Sequence, residues 1–348
     1  VVVRRPHGDG PFPVITMGRG DGRGGMPHVL AQVERLVPMQ DEMIRRGYAV
    51  VYINYRNEIP YLYGERGTLR DLDDDTRDEV LDFPVGTVLI KNFYYPNDFR
   101  DLSKGRRILE TRLLVRKTDK WDALSYVWNQ QQDDAELNII GANKSVDWVN
   151  VKGEKMHDDY SVPNKNQCKG CHSYNGAFMP IGPKVRNLNH DYAYADGKTN
   201  QLARWAAAGF LTGYDAAANA DNRVAKWDDS TTGTLDQRAR AYLDVNCGHC
   251  HRPEGPANPS GLYLYYHNTD MGKLGVLKTP EAAGAGGGDF LYDIIPGHPE
   301  ASIMPYRMGK LDDPGKMMPQ IGRKLVHREG VALINAWIAA MPERPVRK

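Results

Sequence analysis

The pattern of hydrophobic and polar residues changes twice along this chain. In the first part, an apolar run at 13–17 precedes a glycine-rich stretch, a helical pattern covers about 29–46, and a near-continuous apolar strand covers 49–55. A strand, a glycine-rich turn, a helix and a second strand make one βαβ unit. The pattern therefore predicts a short α/β unit over residues 1–65.

A second pattern begins at about residue 66, where apolar and polar residues alternate as they do in strands. Residues 108–116 and 124–128 alternate in this way, and the turn residues 118–120 between them predict a hairpin. Several short strands separated by polar turns are typical of an antiparallel sandwich or barrel. We therefore predict an antiparallel β-rich domain over residues 66–160.

The third pattern is helical. Apolar residues recur at three- and four-residue spacing over about 199–211, 235–245 and 327–341, with loops rich in glycine and proline between them. We therefore expect the fold class to be multidomain, with the α/β unit and the β-rich domain followed by two mainly α-helical domains, at 161–225 and 226–348.

Charge and hydropathy give no indication of a nucleic-acid partner or of a membrane span. The 348 residues include 45 basic and 44 acidic side chains, so the formal net charge is +1 and gives no reason to expect nucleic acid as a partner. No apolar run approaches the roughly 20 residues that a membrane-spanning helix needs. We therefore predict a chain with no membrane span.

All four cysteines fall in two pentapeptides, CKGCH at 168–172 and CGHCH at 247–251. The pattern C-x-x-C-H is the attachment sequence for c-type haem, in which the thiols bond to the haem vinyl groups and the histidine is an axial ligand of the iron. We predict two covalently bound haem c groups. The cofactor-binding residues are then Cys168, Cys171, His172, Cys247, Cys250 and His251.

Zinc binding and disulfide formation are the alternatives for these cysteines. Four cysteines in two pairs are a common zinc-ligand set, but the pairs of a compact zinc ribbon are separated by roughly 15–20 residues, and these pairs are much farther apart. Neither alternative explains why a histidine follows both pairs. Covalent haem explains all six residues.

The surroundings of the second motif resemble a single-haem class I cytochrome c domain. A helix leads into Cys247, a loop containing a Met-Pro pair follows His251, and a terminal helix closes the chain. In that family the methionine before the proline is the second axial ligand. The resemblance therefore implies Met318 as the distal ligand, with Met317 as the near alternative.

The distal ligand of the first haem is left open by the sequence. Met179 also precedes a proline, but it follows His172 so closely that the chain has to be extended to reach the opposite haem face. The competing ligands are His190 and His157, and a vacant position is a further alternative. A vacant position would let small molecules bind to the iron.

Longer phrases resemble one family of exported bacterial di-haem proteins of unassigned function. From about Leu81 onward they include LDFPVGTVLIKNFYYP, YSVPNKNQCKGCH and AYLDVNCGHCH. The resemblance implies a β-rich leader, two haem sites and a cytochrome c-like C-terminus. Residues 1–65 instead resemble a fragment of an α/β-hydrolase, in the phrase GYAVVYINYRNEIPY, but the chain has no G-x-S-x-G nucleophile elbow and we expect no esterase activity.

These observations predict electron transport rather than enzymatic activity. We expect a di-haem cytochrome c that carries electrons between redox protein partners or along an assembly of cytochromes, with self-association as a further expectation. Two alternatives are a haem enzyme, peroxidase- or dehydrogenase-like, that acts at the first haem, and a structural subunit of a cytochrome filament. Because bacteria attach haem outside the cytoplasmic membrane, we expect a periplasmic or extracellular protein whose export signal has been removed; the chain begins at Val1.

Overall fold

The computed structural model describes most of the chain after residue 79. The described residues are 80–194, 197–209, 211–320 and 322–343, together with two short strands, β1 (Val51–Asn54) and β2 (Gly67–Thr68). Of the α/β unit predicted over 1–65, only β1 falls within them, and it lies inside the strand predicted at 49–55. The glycine-rich turn and the helix predicted before it lie outside the described residues.

The described residues form two compact units. The first contains the described residues up to Asn166 together with Pro180–Arg223. The second contains Gln167–Met179 together with the described residues from Val224 onward. Both C-x-x-C-H motifs therefore belong to the second unit. The division into four domains that the sequence suggests stays a prediction.

The main sheet of the first unit has five strands: β1, β3 (Val88–Pro96), β4 (Arg106–Arg116), β5 (Trp121–Trp128) and β6 (Ala135–Leu137). The last four pair antiparallel in chain order, and β1 pairs parallel with β3. The hairpin predicted between β4 and β5 is confirmed. Val88, Ile90 and Leu113 are fully buried in the core of this sheet, as the alternating pattern requires.

Small two-stranded sheets and three short helices complete the first unit and lead into the second. Asn200 caps the longest of these helices, because its side chain accepts a hydrogen bond from the Ala203 N–H group at 3.0 Å. The elements are β7 (Ala142–Val149), β8 (Lys155–Val162), α1 (Lys165–Lys169), α2 (Val185–Leu188), β11 (Asp191–Tyr194), β12 (Gly197–Asn200), α3 (Gln201–Ala207) and β13 (Leu211–Thr212), which pairs with β2.

A buried carboxylate joins three strands of the first unit. Glu110 in β4 is fully buried, and its side chain accepts hydrogen bonds from Ser125 Oγ at 2.7 Å and from Tyr160 Oη at 2.5 Å. Arg112 forms an ion pair with the same carboxylate. Both carboxylate oxygens therefore have donors, which compensates for the loss of hydration that a buried charge suffers.

The second unit is built from two short strands, three helices and long connecting loops. Trp337 Nε1 donates a hydrogen bond to Asp236 Oδ1 at 2.8 Å and joins the first of these helices to the last. Around this contact lies a core that includes the fully buried Leu243, Ile334 and Ile338. The elements are β9 (Ser173–Tyr174), β10 (Ala177–Phe178), α4 (Leu235–Leu243), α5 (Ile303–Met308) and α6 (Arg328–Ala339).

The prediction of mainly α-helical haem domains is wrong. The described residues contain six α-helices beside antiparallel sheets, and four of the six have seven residues or fewer. The two longest, α4 and α6, confirm the helices predicted at 235–245 and 327–341, but the chain between them is mostly loop. Prolines and glycines recur there too often for a helix to extend, because proline lacks an N–H group and clashes with the preceding turn.

None of the helices in the described part of the chain combines the length and the apolar character needed to cross a lipid bilayer. The first unit also departs from a purely antiparallel arrangement, because β1 pairs parallel with β3, and β2 pairs parallel with β13.

Candidate haem-attachment sites

Both pentapeptides form the same helical turn. In the first motif, the carbonyl oxygen of Cys168 accepts hydrogen bonds from the N–H groups of Cys171 at 3.3 Å and His172 at 3.0 Å. In the second, the carbonyl oxygen of Cys247 accepts from the equivalent cysteine and histidine at 3.0 and 2.9 Å. Residues three and four positions apart share a face of a helical turn, so each motif places two thiols and an imidazole on one side. One haem needs this arrangement for two thioethers and an axial ligand.

A tight hairpin supports the first motif. Asn175 and Gly176, between β9 and β10, have φ angles of 47° and 76°, as a type I′ turn requires at both central positions. Glycine and asparagine tolerate these angles better than other residues do. The hairpin returns the chain to the motif, where the Phe178 ring stacks on the His172 ring with a centroid distance of 5.3 Å.

The residue after Phe178 fixes the orientation of the first imidazole. The Met179 N–H group donates to the His172 carbonyl oxygen at 3.0 Å, and His172 Nδ1 lies 2.8 Å from the Met179 carbonyl oxygen. A carbonyl oxygen can only accept, so Nδ1 carries the hydrogen and Nε2 carries the lone pair. Nε2 is therefore the ring atom with which His172 can coordinate iron.

In the second motif, a longer loop places a carbonyl oxygen beside Nδ1 of His251 and favours the same tautomer. His251 Nδ1 lies 3.3 Å from the Leu262 carbonyl oxygen and 3.3 Å from Ser260 Oγ. The Leu264 N–H group donates to the His251 carbonyl oxygen at 2.8 Å and holds the loop beside the motif. In both histidines a backbone carbonyl fixes the ring, as a hydrogen bond to the second ring nitrogen commonly does in metal-binding histidines.

Burial shifts the pKa values of the histidine and the first cysteine of the second motif. His251 is 8% exposed, and burial lowers its pKa to about 4, so the imidazole is neutral at pH 7. Burial also raises the pKa of the Cys247 thiol to about 12, with a further contribution from the Asp244 carboxylate. Neutral imidazole is the form that binds a metal, so this histidine would need no deprotonation before coordinating one.

A backbone hydrogen bond and a cation–π contact join the loops that follow the two motifs. The Asn175 N–H group donates to the Glu254 carbonyl oxygen at 2.8 Å. The Arg252 guanidinium pairs with the Glu254 carboxylate at 2.8 Å and lies over the Tyr174 ring, 4.9 Å from its centroid. The loop that follows the first histidine is therefore packed against the loop that follows the second.

This packing brings together three potential metal ligands from the two motifs. The Sγ atoms of Cys171 and Cys250 and a ring nitrogen of His249 lie within 4.8 Å of one another. Cys250 Sγ is also 3.6 Å from the Gly170 carbonyl oxygen, and a hydrogen bond with Cys171 together with burial raises the pKa of the Cys250 thiol. All four cysteines are in the reduced state.

The proposed distal ligands of the second haem lie in the loop between α5 and α6. Met317 is buried and Met318 is half-buried. The Met318 N–H group donates to the Arg307 carbonyl oxygen at 3.1 Å. Arg323, later in the same loop, donates to the carbonyl oxygens of Met308 at 2.7 Å and Arg307 at 3.1 Å at the end of α5. The assignment of either methionine to the second haem stays a prediction.

The candidate distal ligands of the first haem are placed differently. The Met179 backbone is bonded to His172, a position that favours orienting the proximal ring over reaching the opposite haem face. His190 and His157 belong to the first compact unit. His157 lies on β8, where an ion pair with Asp147 raises its pKa. The distal ligand of the first haem therefore stays open among these residues.

Three supporting features went unrecognised in the sequence. The Leu262 carbonyl is a backbone group, so residue type gives no signal for it. Arg252 and His249 were visible beside the motif, but their roles depend on which loop packs against them. The pair Asn175 and Gly176 did carry a signal, because this dipeptide is a strong hairpin indicator.

No family model, curated protein or solved structure matches this chain.

Proposed function

We propose that this chain is a di-haem c-type cytochrome that carries electrons outside the bacterial cytoplasmic membrane, between redox protein partners or along an assembly of cytochromes. The observation that carries the proposal is the repeated geometry: each motif places two thiols and a carbonyl-oriented imidazole on one helical turn. When bound, haem supplies an iron that changes reversibly between the ferric and ferrous states by one electron.

The residues of the chain would perform three tasks in this function. The cysteines would hold each haem covalently, so that neither is lost when the iron changes charge. The carbonyl oxygens of Met179 and Leu262 would keep the Nε2 atoms of His172 and His251 directed to the iron. Such outer-shell hydrogen bonds also raise the basicity of the ligand, which influences the reduction potential.

The first test is the mass and spectrum of the full chain after expression with a haem-attachment system. We expect two haem increments in the intact mass, and a peptide map with one haem on each motif. Optical spectra should show both irons cycling reversibly, and a near-infrared methionine-to-iron band would identify a Met/His site. A protein with no haem increment would contradict the proposal.

The alternative functions differ in two further measurements. An enzyme with an open position on the first haem should show high-spin ferric bands and bind cyanide rapidly. A carrier in which each iron has six fixed ligands should stay low-spin and should not bind cyanide. A structural or filament-forming subunit should self-associate at micromolar concentration, whereas a carrier that works between partners should stay monomeric in the same sedimentation experiment.

A further inference from the structure

The three ligand atoms that the two motifs bring together form a potential metal site, separate from the haem-attachment sites. We propose that Cys171, His249 and Cys250 bind one zinc ion in the chain before haem is attached. This site is a property of the reduced chain without haem, so it does not depend on the proposed electron-transfer function.

The distances suit a zinc ion with little rearrangement. Zinc bonds of about 2.3 Å to sulfur and about 2.0 Å to nitrogen place tetrahedral ligand atoms about 3.5–3.8 Å apart. The three atoms lie within 4.8 Å of one another, so each has to move by about 1 Å or less. Rotation about the side-chain bonds of cysteine and histidine covers such a shift.

Contacts that do not involve the thiol of Cys171 or the imidazole of His249 hold the ligands together. The backbone bond from Asn175 to Glu254 fixes the first loop to the second at 2.8 Å. The Ala257 N–H group donates to the Cys250 carbonyl oxygen at 3.0 Å and holds this cysteine in its turn. The ligand set is therefore positioned by the backbone before any metal arrives, which lowers the entropic cost of binding.

The donor types select the class of metal. Two thiolates and an imidazole favour zinc and other borderline or soft cations, whereas magnesium and calcium prefer oxygen. Three protein ligands leave a fourth position for water, as in the open class of zinc sites. The ligand set differs from a zinc ribbon because it takes one cysteine from each C-x-x-C pair.

Zinc binding at this site has a consequence for both motifs at once. Each C-x-x-C-H sequence would contribute its second cysteine to the zinc ion, as a thiolate. A sulfur atom that is bonded to zinc is not available to form a thioether with a haem vinyl group. One ion would therefore prevent complete haem attachment at both motifs, and its removal would restore both.

The experiment uses the full chain expressed without a haem-attachment system and kept reduced. Titration with Co²⁺ should give one bound ion per chain, with tetrahedral d–d bands and thiolate charge-transfer absorption, and Zn²⁺ should displace it. Cys171→Ser and Cys250→Ser should each lower the affinity for Co²⁺ at least about tenfold, and His249→Gln should lower it less. The matched controls Cys168→Ser and Cys247→Ser should change the affinity less than about threefold.

Alkylation of the wild-type chain gives a readout that needs no variant to fold. Zinc should slow the reaction of Cys171 and Cys250 with iodoacetamide relative to the zinc-free chain and leave the reaction of Cys168 unchanged, as read by peptide mapping. Absence of a 1:1 cobalt complex would overturn the proposal, as would equal loss of affinity in all four serine variants. A chain that binds zinc in this way but never takes up haem would contradict the proposed function alone.

Discussion

The two attachment motifs have the same backbone turn but are supported in different ways. The first is completed within a few residues by a hairpin, whose Phe178 ring and Met179 carbonyl contact His172. The second depends on Leu262, farther along the chain, and on a helix that packs into the core of the unit. The difference shows that the five-residue turn fixes the positions of the ligands, whereas the orientation of the histidine is supplied by whichever carbonyl the surroundings provide.

Substitutions near the two motifs should therefore differ in how much of the second unit they destabilise. His251 is buried beside the hydrophobic core, so a change near it should affect the stability of the whole second unit. His172 is only partly buried and its support is local. A change near the first motif should therefore disturb that motif and little else.

The largest expected effect comes from removing the thiols of one motif. The double variant Cys247→Ser/Cys250→Ser should lose one of the two haem increments and also unfold at lower temperature, because its haem would cover the core of the unit. The matched variant Cys168→Ser/Cys171→Ser should lose one increment with a smaller change in melting temperature. Intact mass and thermal melting followed by circular dichroism measure the two quantities, and equal melting temperatures would refute the difference between the motifs.

A buried carboxyl group in the second unit should make its stability depend on pH. Asp293 is 7% exposed, and burial raises its pKa from 3.8 to about 6. The folded state therefore binds the proton more tightly than the unfolded state, and Asp293 should contribute a fall of up to about 3 kcal/mol in the free energy of unfolding as pH rises from about 4 to about 6, opposite in sign to the contribution of His251, whose pKa is lowered. Asp293→Asn should remove this fall in urea titrations.

The control for Asp293 is an exposed carboxyl group with the opposite shift. Hydrogen bonding from the Gly315 N–H group lowers the pKa of Asp313, so its contribution to stability should be lost as pH falls. Asp313→Asn should therefore leave the fall between about pH 4 and pH 6 in place. If the difference in free energy of unfolding between the wild-type protein and Asp293→Asn did not change between about pH 4 and pH 6, the prediction would be contradicted.

The contact between α4 and α6 should tolerate no added side-chain volume. A Cβ atom on Gly330 would overlap the hydroxyl group of Tyr242, which is hydrogen-bonded to His327 Nδ1 at 3.0 Å. Gly330→Ala should lower the free energy of unfolding by about 2 kcal/mol, the usual cost of overpacking. In the control Gly309→Ala, the nearest atom to the new Cβ is 3.4 Å away, so urea denaturation should show little change.

The smallest expected effect is in the hairpin of the first motif. Gly176 has a φ angle of 76°, and no atom lies within 4 Å of the position that a Cβ atom would take, so Gly176→Ala costs only backbone strain, about 1 kcal/mol. Hydrogen exchange at the Met179 amide should accelerate while the amides of α4 stay protected. Gly176→Asn should restore most of the protection, since asparagine tolerates this conformation, and equal acceleration in α4 would contradict a local support.

The sequence predicted the local features of this unit better than its overall class. The capping pair Thr234 and Gln237 marks the start of α4, and both of its reciprocal hydrogen bonds are present. The apolar spacing of α6 likewise identified a helix that packs into the core. The error was to extend this helical character to the loops between them, where proline and glycine prevent it.

The candidate site could be predicted only in part, for a physical reason. The pattern C-x-x-C-H fixes ligands that are close in sequence, because one helical turn brings them together. The approach of Cys171 to Cys250 depends on the packing of two distant loops, and no spacing rule encodes it. Met179 illustrates the same limit, since its Met-Pro pair predicts a side-chain ligand, which stays a prediction, and gives no signal for the hydrogen bond between its backbone and His172.

The bond between Asn175 and Glu254 has a consequence for biosynthesis. The chain is made from its N-terminus, so the first motif emerges before residues 224–348 exist, and the second unit cannot close around it until they do. Any enzyme that modifies residues 168–172 during this interval meets a short local hairpin rather than a finished domain. An exported chain that emerges N-terminus first would therefore give the earlier motif a period of access that the later motif, which emerges next to its own core, does not share.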